Sequence, residues 1–155
     1  MILCVYNIIH KQRSREGEDL CVSLPVAEMC KTFANILDED GDCENDDALV
    51  CPKFSGDILK TVIKYCEYYQ NVEEMAPIET PFPPGATLED IVKQEWYVKF
   101  ISYPDIDTLR TLIAAAHFLD IEPLVDLGSL RWGYIIAGKT EEEQRAIFKL
   151  PSPLR

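Results

Sequence analysis

Histidine is scarce in this chain: His10 and His117 are the only two in 155 residues. Six cysteines stand at 4, 21, 30, 43, 51 and 66, with no C-x-x-C spacing among them. A structural zinc site needs ligands paired at close spacing, so this class is excluded. The thiols read as small hydrophobes packed in a reducing compartment. Bases are also few, 15 Lys and Arg against 27 Asp and Glu, for a net charge of −12. A phosphate backbone needs a basic face, so nucleic acid is excluded as a partner. No apolar run approaches the roughly 20 residues that cross a bilayer. The opening Met1-Ile-Leu-Cys-Val-Tyr-Asn-Ile-Ile9 is apolar, but its bases (Lys11, Arg13, Arg15) follow the run. A secretory signal has them before it. The expectation is a protein of the cytoplasm and nucleus that neither crosses nor rests on a membrane.

Catalytic pairings are equally thin. His117 lies in an apolar helical pattern with no serine or cysteine at a telling offset, so no nucleophile dyad is indicated. Among the many carboxylates no isolated buried pair stands out. One string does match a catalytic motif: Gly133-Tyr-Ile-Ile-Ala-Gly-Lys-Thr140 fits G-x-x-x-x-G-K-[ST]. A phosphate loop needs a strand feeding a flexible turn. Here the four middle residues continue a helical apolar pattern, Gly138 suits a helix C-cap, and Thr140-Glu-Glu-Glu143 is a capping box opening the next helix. No nucleotide, metal or other cofactor is expected. The acidic run Asp38-Glu-Asp-Gly-Asp-Cys-Glu-Asn-Asp-Asp47 puts its glycine at position 4, not the position 6 that a calcium loop requires. It reads as a solvated acidic loop.

What the chain has is apolar residues, 47% of the total, enough for one domain with a sizeable core. Residues 3–9 and 20–24 read as strands of a hairpin around the charged turn Ser14-Arg-Glu-Gly-Glu18. Met29, Phe33, Ile36 and Leu37 mark a short amphipathic helix. Residues 48–51 form a third short strand. Ser55 or Asp57 caps a helix to about Tyr69, with Ile58, Leu59, Val62, Ile63 and Cys66 buried. Residues 71–85 contain Pro77, Pro81, Pro83 and Pro84 and form a loop. A helix is expected from Glu89 to Phe100, and a last short one from Glu141 to Phe148.

The most informative stretch is 107–136. Leu109, Leu112, Ile113 and Ala116 share one helical face, and Ala114, Ala115 and Ala116 allow a neighbouring helix to approach closely. The Leu119-Asp-Ile-Glu-Pro123 segment is a corner, because proline disfavours helix just before it and suits the first turn after. In the helix that follows, at about 100° per residue, Leu124, Leu127 and Ile135 share one face, with Gly128 beside it. Val125, Ser129, Trp132 and Ile136 share a second, displaced by about 100°. One stripe anchors a helix to its own core. A second stripe carrying tryptophan points to a docking surface for another protein's helix.

Three blocks, in order, resemble the Skp1 family. Leu49-Val-Cys-Pro-Lys-Phe-Ser-Gly-Asp-Ile-Leu-Lys-Thr-Val-Ile-Lys-Tyr-Cys66 is similar to that family's third strand and following helix. Asp107 to Ile121 is similar to its Leu-Ala-Ala-Asn-Tyr-Leu-Asp-Ile element, and Gly138-Lys-Thr with Arg145 and Phe148 to its closing helix. The resemblance implies an α+β, BTB/POZ fold with a small N-terminal sheet, helices packed on it and a C-terminal helical extension. It implies a BTB/POZ-like domain over 1–120, F-box-binding helices over 121–150, and a tail from 151 to 155. It further implies a non-catalytic adaptor joining an F-box protein to a cullin N-terminal domain in an SCF-type ubiquitin ligase. Carried over by position, Leu109, Ile113, Val125, Ser129, Trp132, Ile136 and Phe148 line the F-box groove, and His117 and Phe118 meet the cullin. His117 and Phe118 replace the family's Asn and Tyr, and Arg110 stands where an aromatic is usual. Ser129 and Trp132 differ in size from the usual Cys and Val. The alternative implied role is a BTB-type interaction module outside ubiquitin ligases, self-associating or of the elongin C kind.

Overall fold

The charged segment near residue 14 separates two antiparallel strands, β1 (Ile9–Arg13) and β2 (Asp19–Ser23), which pair from Ile9 with Ser23 to Arg13 with Asp19. A third strand, β3 (Leu49–Val50), lies parallel to β1, giving the order β2-β1-β3. The computed structural model describes residues 9–15, 19–32, 49–50, 53–83 and 85–150. The expected strand over 3–8, most of the helix marked by Phe33, Ile36 and Leu37, and the whole acidic loop 38–47 lie outside these residues. Within them, β1 continues past Ile9 to Arg13, further along the chain than the apolar run that suggested it. At the other end of the hairpin, helix starts one residue sooner than the alternation implied. Leu24 opens α1 (Leu24–Met29), with Pro25 in its first turn, where a missing N–H costs nothing.

Seven helices are described in all. α2 (Gly56–Asn71) follows Ser55, and its Ile58, Leu59, Val62, Tyr65 and Cys66 are buried. The expected single helix over 89–100 is two: α3 (Leu88–Ile91) and α4 (Glu95–Ser102). The break has a cause in Gln94. Its carboxamide oxygen accepts from the Ala76 N–H at 2.8 Å and its NH₂ donates to the Glu74 carbonyl at 2.8 Å. The residue therefore serves the preceding loop. Tyr97 donates to the Glu73 carbonyl, and Met75 is buried beside the Tyr65 hydroxyl. A loop with few apolar residues is thus tied to the core at four successive positions, 73–76.

The two longest C-terminal helices carry the rest. α5 (Ile106–Phe118) is capped by Asp105, whose carboxylate accepts from the Thr108 N–H at 2.8 Å. α6 (Glu122–Ile136) packs along α5, and α5 packs on α2. Between them the chain turns at Asp120, at φ 55°, a left-handed conformation that Asp tolerates better than most residues. The Ile121 N–H reaches back to the Ala116 carbonyl at 2.9 Å, closing the helix end, while Leu119 and Ile121 are fully buried. α7 (Glu141–Ile147) begins with a full capping box between Thr140 and Glu143.

Candidate protein-interaction surfaces

The phosphate-loop string resolves into ordinary helix geometry. Gly133 to Ile136 form the last turn of α6, Gly138 leaves it at φ 73°, and Thr140 caps α7. Among the described residues no grouping of three or more His, Cys, Asp or Glu side chains could hold a metal ion. No described helix is long and apolar enough to cross a membrane.

α6 carries two distinct faces. Leu124, Leu127, Gly128 and Leu130 are buried, while Val125, Trp132 and Ile136 are half-buried and Ser129 is exposed. The inner face sits so close to α5 that a Cβ at Gly128 would lie 2.5 Å from Ile113 Cγ1. The outer stripe is met from the far end of the chain. The Phe148 ring, 38% exposed, tilts against Trp132 with centroids 5.5 Å apart. One residue on, Lys149 pairs with Asp107 of α5 at 2.9 Å. So α7 folds back toward α5 and α6. It leaves an aromatic pair at the edge of an apolar stripe, the composition of an interface anchor.

Of the residues expected to line this groove, Ile113, Val125, Ser129, Trp132, Ile136 and Phe148 all retain exposed surface. Leu109 does not: at 0% exposure it belongs to the core and presents no surface to a partner. It sits one turn before Ile113, on the side of α5 that packs inward.

His117 and Phe118 lie at the end of α5, both exposed, Phe118 at 39%. The Phe118 ring is not free-standing. It tilts against Phe54 at 5.6 Å, and its carbonyl accepts from the Thr32 hydroxyl at 2.9 Å. Beside it Lys31 pairs with Glu122 at 2.5 Å, fastening the segment after α1 to the start of α6. Phe54, Thr32 and Lys31 escaped the sequence reading. Phe54 had a signal: an apolar residue just before a helix cap is the place of a hydrophobic staple. Thr32 and Lys31 had none, since their partners lie 86 and 91 residues away.

A small sheet, a helical body and two exposed, aromatic-bearing faces on adjoining helices define a protein-interaction module. Residues 11–71 match the family model described as the Skp1 family, tetramerisation domain. Over 142 residues the chain is 30% identical to the S-phase kinase-associated protein 1 homolog of Tetrahymena thermophila, covering 92% of this chain and 82% of that one. It is 32% identical over 137 residues to the E3 ubiquitin ligase complex SCF subunit sconC of Neosartorya fischeri, covering 88% and 82%. The sconC of Emericella nidulans is 31% identical over the same length, covering 88% and 81%. The chain belongs to the Skp1 family.

Proposed function

We propose that this chain is the adaptor of an SCF-type ubiquitin ligase, linking an F-box protein to a cullin without catalysing a reaction itself. The observation that carries the reading is the second face of α6. Val125, Trp132 and Ile136 form an apolar stripe that stays half-buried. Val125 and Trp132 rest against the core on one side and keep exposed surface on the other, with Phe148 against Trp132 and Ile113 of α5 against Gly128. This stripe is the F-box surface, with Ser129 at its polar edge. His117 and Phe118, on the buttress of Phe54 and Thr32, are the cullin surface. The relatives named as SCF subunits support the adaptor role as a whole. The architecture is read as BTB/POZ-like over 1–120 with a helical extension over 121–150, working in the cytoplasm and nucleus.

Titration calorimetry with purified F-box segments tests the first surface. Trp132→Ala is expected to weaken binding by about 2 kcal/mol or more, the scale of an interface hot spot. Co-purification with a cullin N-terminal domain tests the second and should be lost in His117→Lys with Phe118→Lys. A stable homodimer in light scattering that ignores both partners would replace this reading with a self-associating module.

A further inference from the structure

α6 has a third face, next to the stripe. Asp126, Gly133 and Ala137 follow it along the helix, with Leu130 and Tyr134 on its far side. The proline-rich loop lies opposite, and the two enclose an open-sided trough of about 550 Å³ to which the loop contributes Ile78 and Phe82. The trough is held open rather than collapsed. The Tyr134 hydroxyl donates to the Ala86 carbonyl at 2.5 Å, and Gln94 fixes the loop's beginning at Glu74 and Ala76. At Gly133 an added Cβ would meet nothing within 4 Å, so the helix side of the trough is clear. Phe82 is 42% exposed there, an aromatic ring lacking full cover.

Two features say what fills it. Ser129 borders both the trough and the stripe, so a chain lying along the stripe runs into the trough without leaving the surface. Asp126 is the one charged group of the lining, it makes no ion pair among the described residues, and the whole chain carries a net charge of −12. A carboxylate on an apolar wall favours a cation set beside an apolar group. We propose that the trough receives the segment of the F-box partner that adjoins its F-box, through a large apolar side chain next to a Lys or Arg. This rests on the F-box reading of the stripe. It adds a second contact, beside the stripe, by which partners are chosen.

The test uses the full chain with a diazirine-bearing amino acid at position 133 or, separately, at 148, mixed with each of a panel of purified full-length F-box proteins. Circular dichroism first confirms that both variants fold. The expected result is a cross-link from 148 to the F-box and a cross-link from 133 to an adjoining segment with an apolar residue beside Lys or Arg. Asp126→Lys should lower the yield at 133 at least fivefold and leave the yield at 148 unchanged. Cross-linking from 148 but not from 133, or a yield at 133 indifferent to Asp126→Lys, overturns the trough assignment alone. No cross-link from either position overturns the F-box reading and this inference with it.

Discussion

Gly128→Ala is the most exacting test of how α5 and α6 fit together. In an exposed helix the change would stabilise by about 0.5–1 kcal/mol, because alanine has less backbone freedom to lose. Here the new Cβ would lie 2.5 Å from Ile113 Cγ1 and 3.2 Å from its Cδ1. Carbon atoms rest about 3.5–4.0 Å apart, so more than an ångström must be found. Ile113 cannot swing away easily, since a β-branched residue in a helix has one strongly preferred χ1. Overpacking of this kind costs about 1–3 kcal/mol. The net expectation is a loss of about 1 kcal/mol in urea unfolding, with an unchanged slope. In an Ile113→Ala background the clash is gone and the same substitution should stabilise by about 0.5–1 kcal/mol. The two measurements differ by about 2 kcal/mol, which is the coupling the double-mutant cycle reads. A neutral or stabilising Gly128→Ala in the wild-type background would refute the close approach of the two helices.

The acid limb of stability should come from helix starts. Asp90, Asp105 and Glu143 accept from the backbone N–H groups of Thr87, Thr108 and Thr140, which holds each carboxyl below its ordinary value. A depressed folded value gives stability that is complete above the unfolded value near 4 and lost as pH falls through the folded one. Urea melts between pH 5 and pH 2 should show that decline, and Asp90→Asn with Asp105→Asn and Glu143→Gln should flatten it; an unaltered decline would assign it elsewhere. The free Cys66 thiol, held beside the Cys30 thiol by a hydrogen bond and fully buried, is pushed well above the usual thiol range, so alkylation of both residues read by peptide mass should wait for unfolding. Rapid labelling of either in the folded protein would contradict that packing. Gln94→Ala removes two hydrogen bonds from the 74–76 loop and should cost about 1–2 kcal/mol, with faster proteolysis confined to residues 72–80. Cleavage no faster than in the wild type would show that Tyr97 and Met75 hold the loop unaided.

Periodicity made the helical body legible because burial imposes it directly. Ile58, Leu59, Val62 and Cys66 repeat at helical spacing because all four enter the core. The double stripe of α6 was visible for the same reason. What periodicity cannot express is a residue spent on another segment. Gln94 reads as a good helix former, yet both its polar atoms pair with a loop about 20 residues earlier, and α3 and α4 part at that point. Leu109 shows a different limit: resemblance carries a role by position, whereas burial is set by packing, and Leu109 is fully buried here. The trough was illegible altogether, since Ile78 and Phe82 stand in a loop of no period and meet α6 only through the fold.

The corner at 119–121 explains why the two surfaces can act as one body. Phe118 ends α5 and Val125 opens the outer stripe of α6, only seven residues later. A flexible connection there would let the two partners move independently, and an adaptor that holds a substrate receptor at a fixed place on a cullin needs the reverse. The corner is closed by the Ile121 N–H to the Ala116 carbonyl, its Leu119 and Ile121 side chains are fully buried, and Lys31 clamps Glu122 from outside. Asp120 alone takes the left-handed conformation this demands, at φ 55°. Asp120→Gly should therefore be tolerated on both surfaces, because glycine enters that region freely. Asp120→Val, strained by its branched side chain, should weaken F-box and cullin binding together. Loss of one with full retention of the other would show that the surfaces are not set by a common corner.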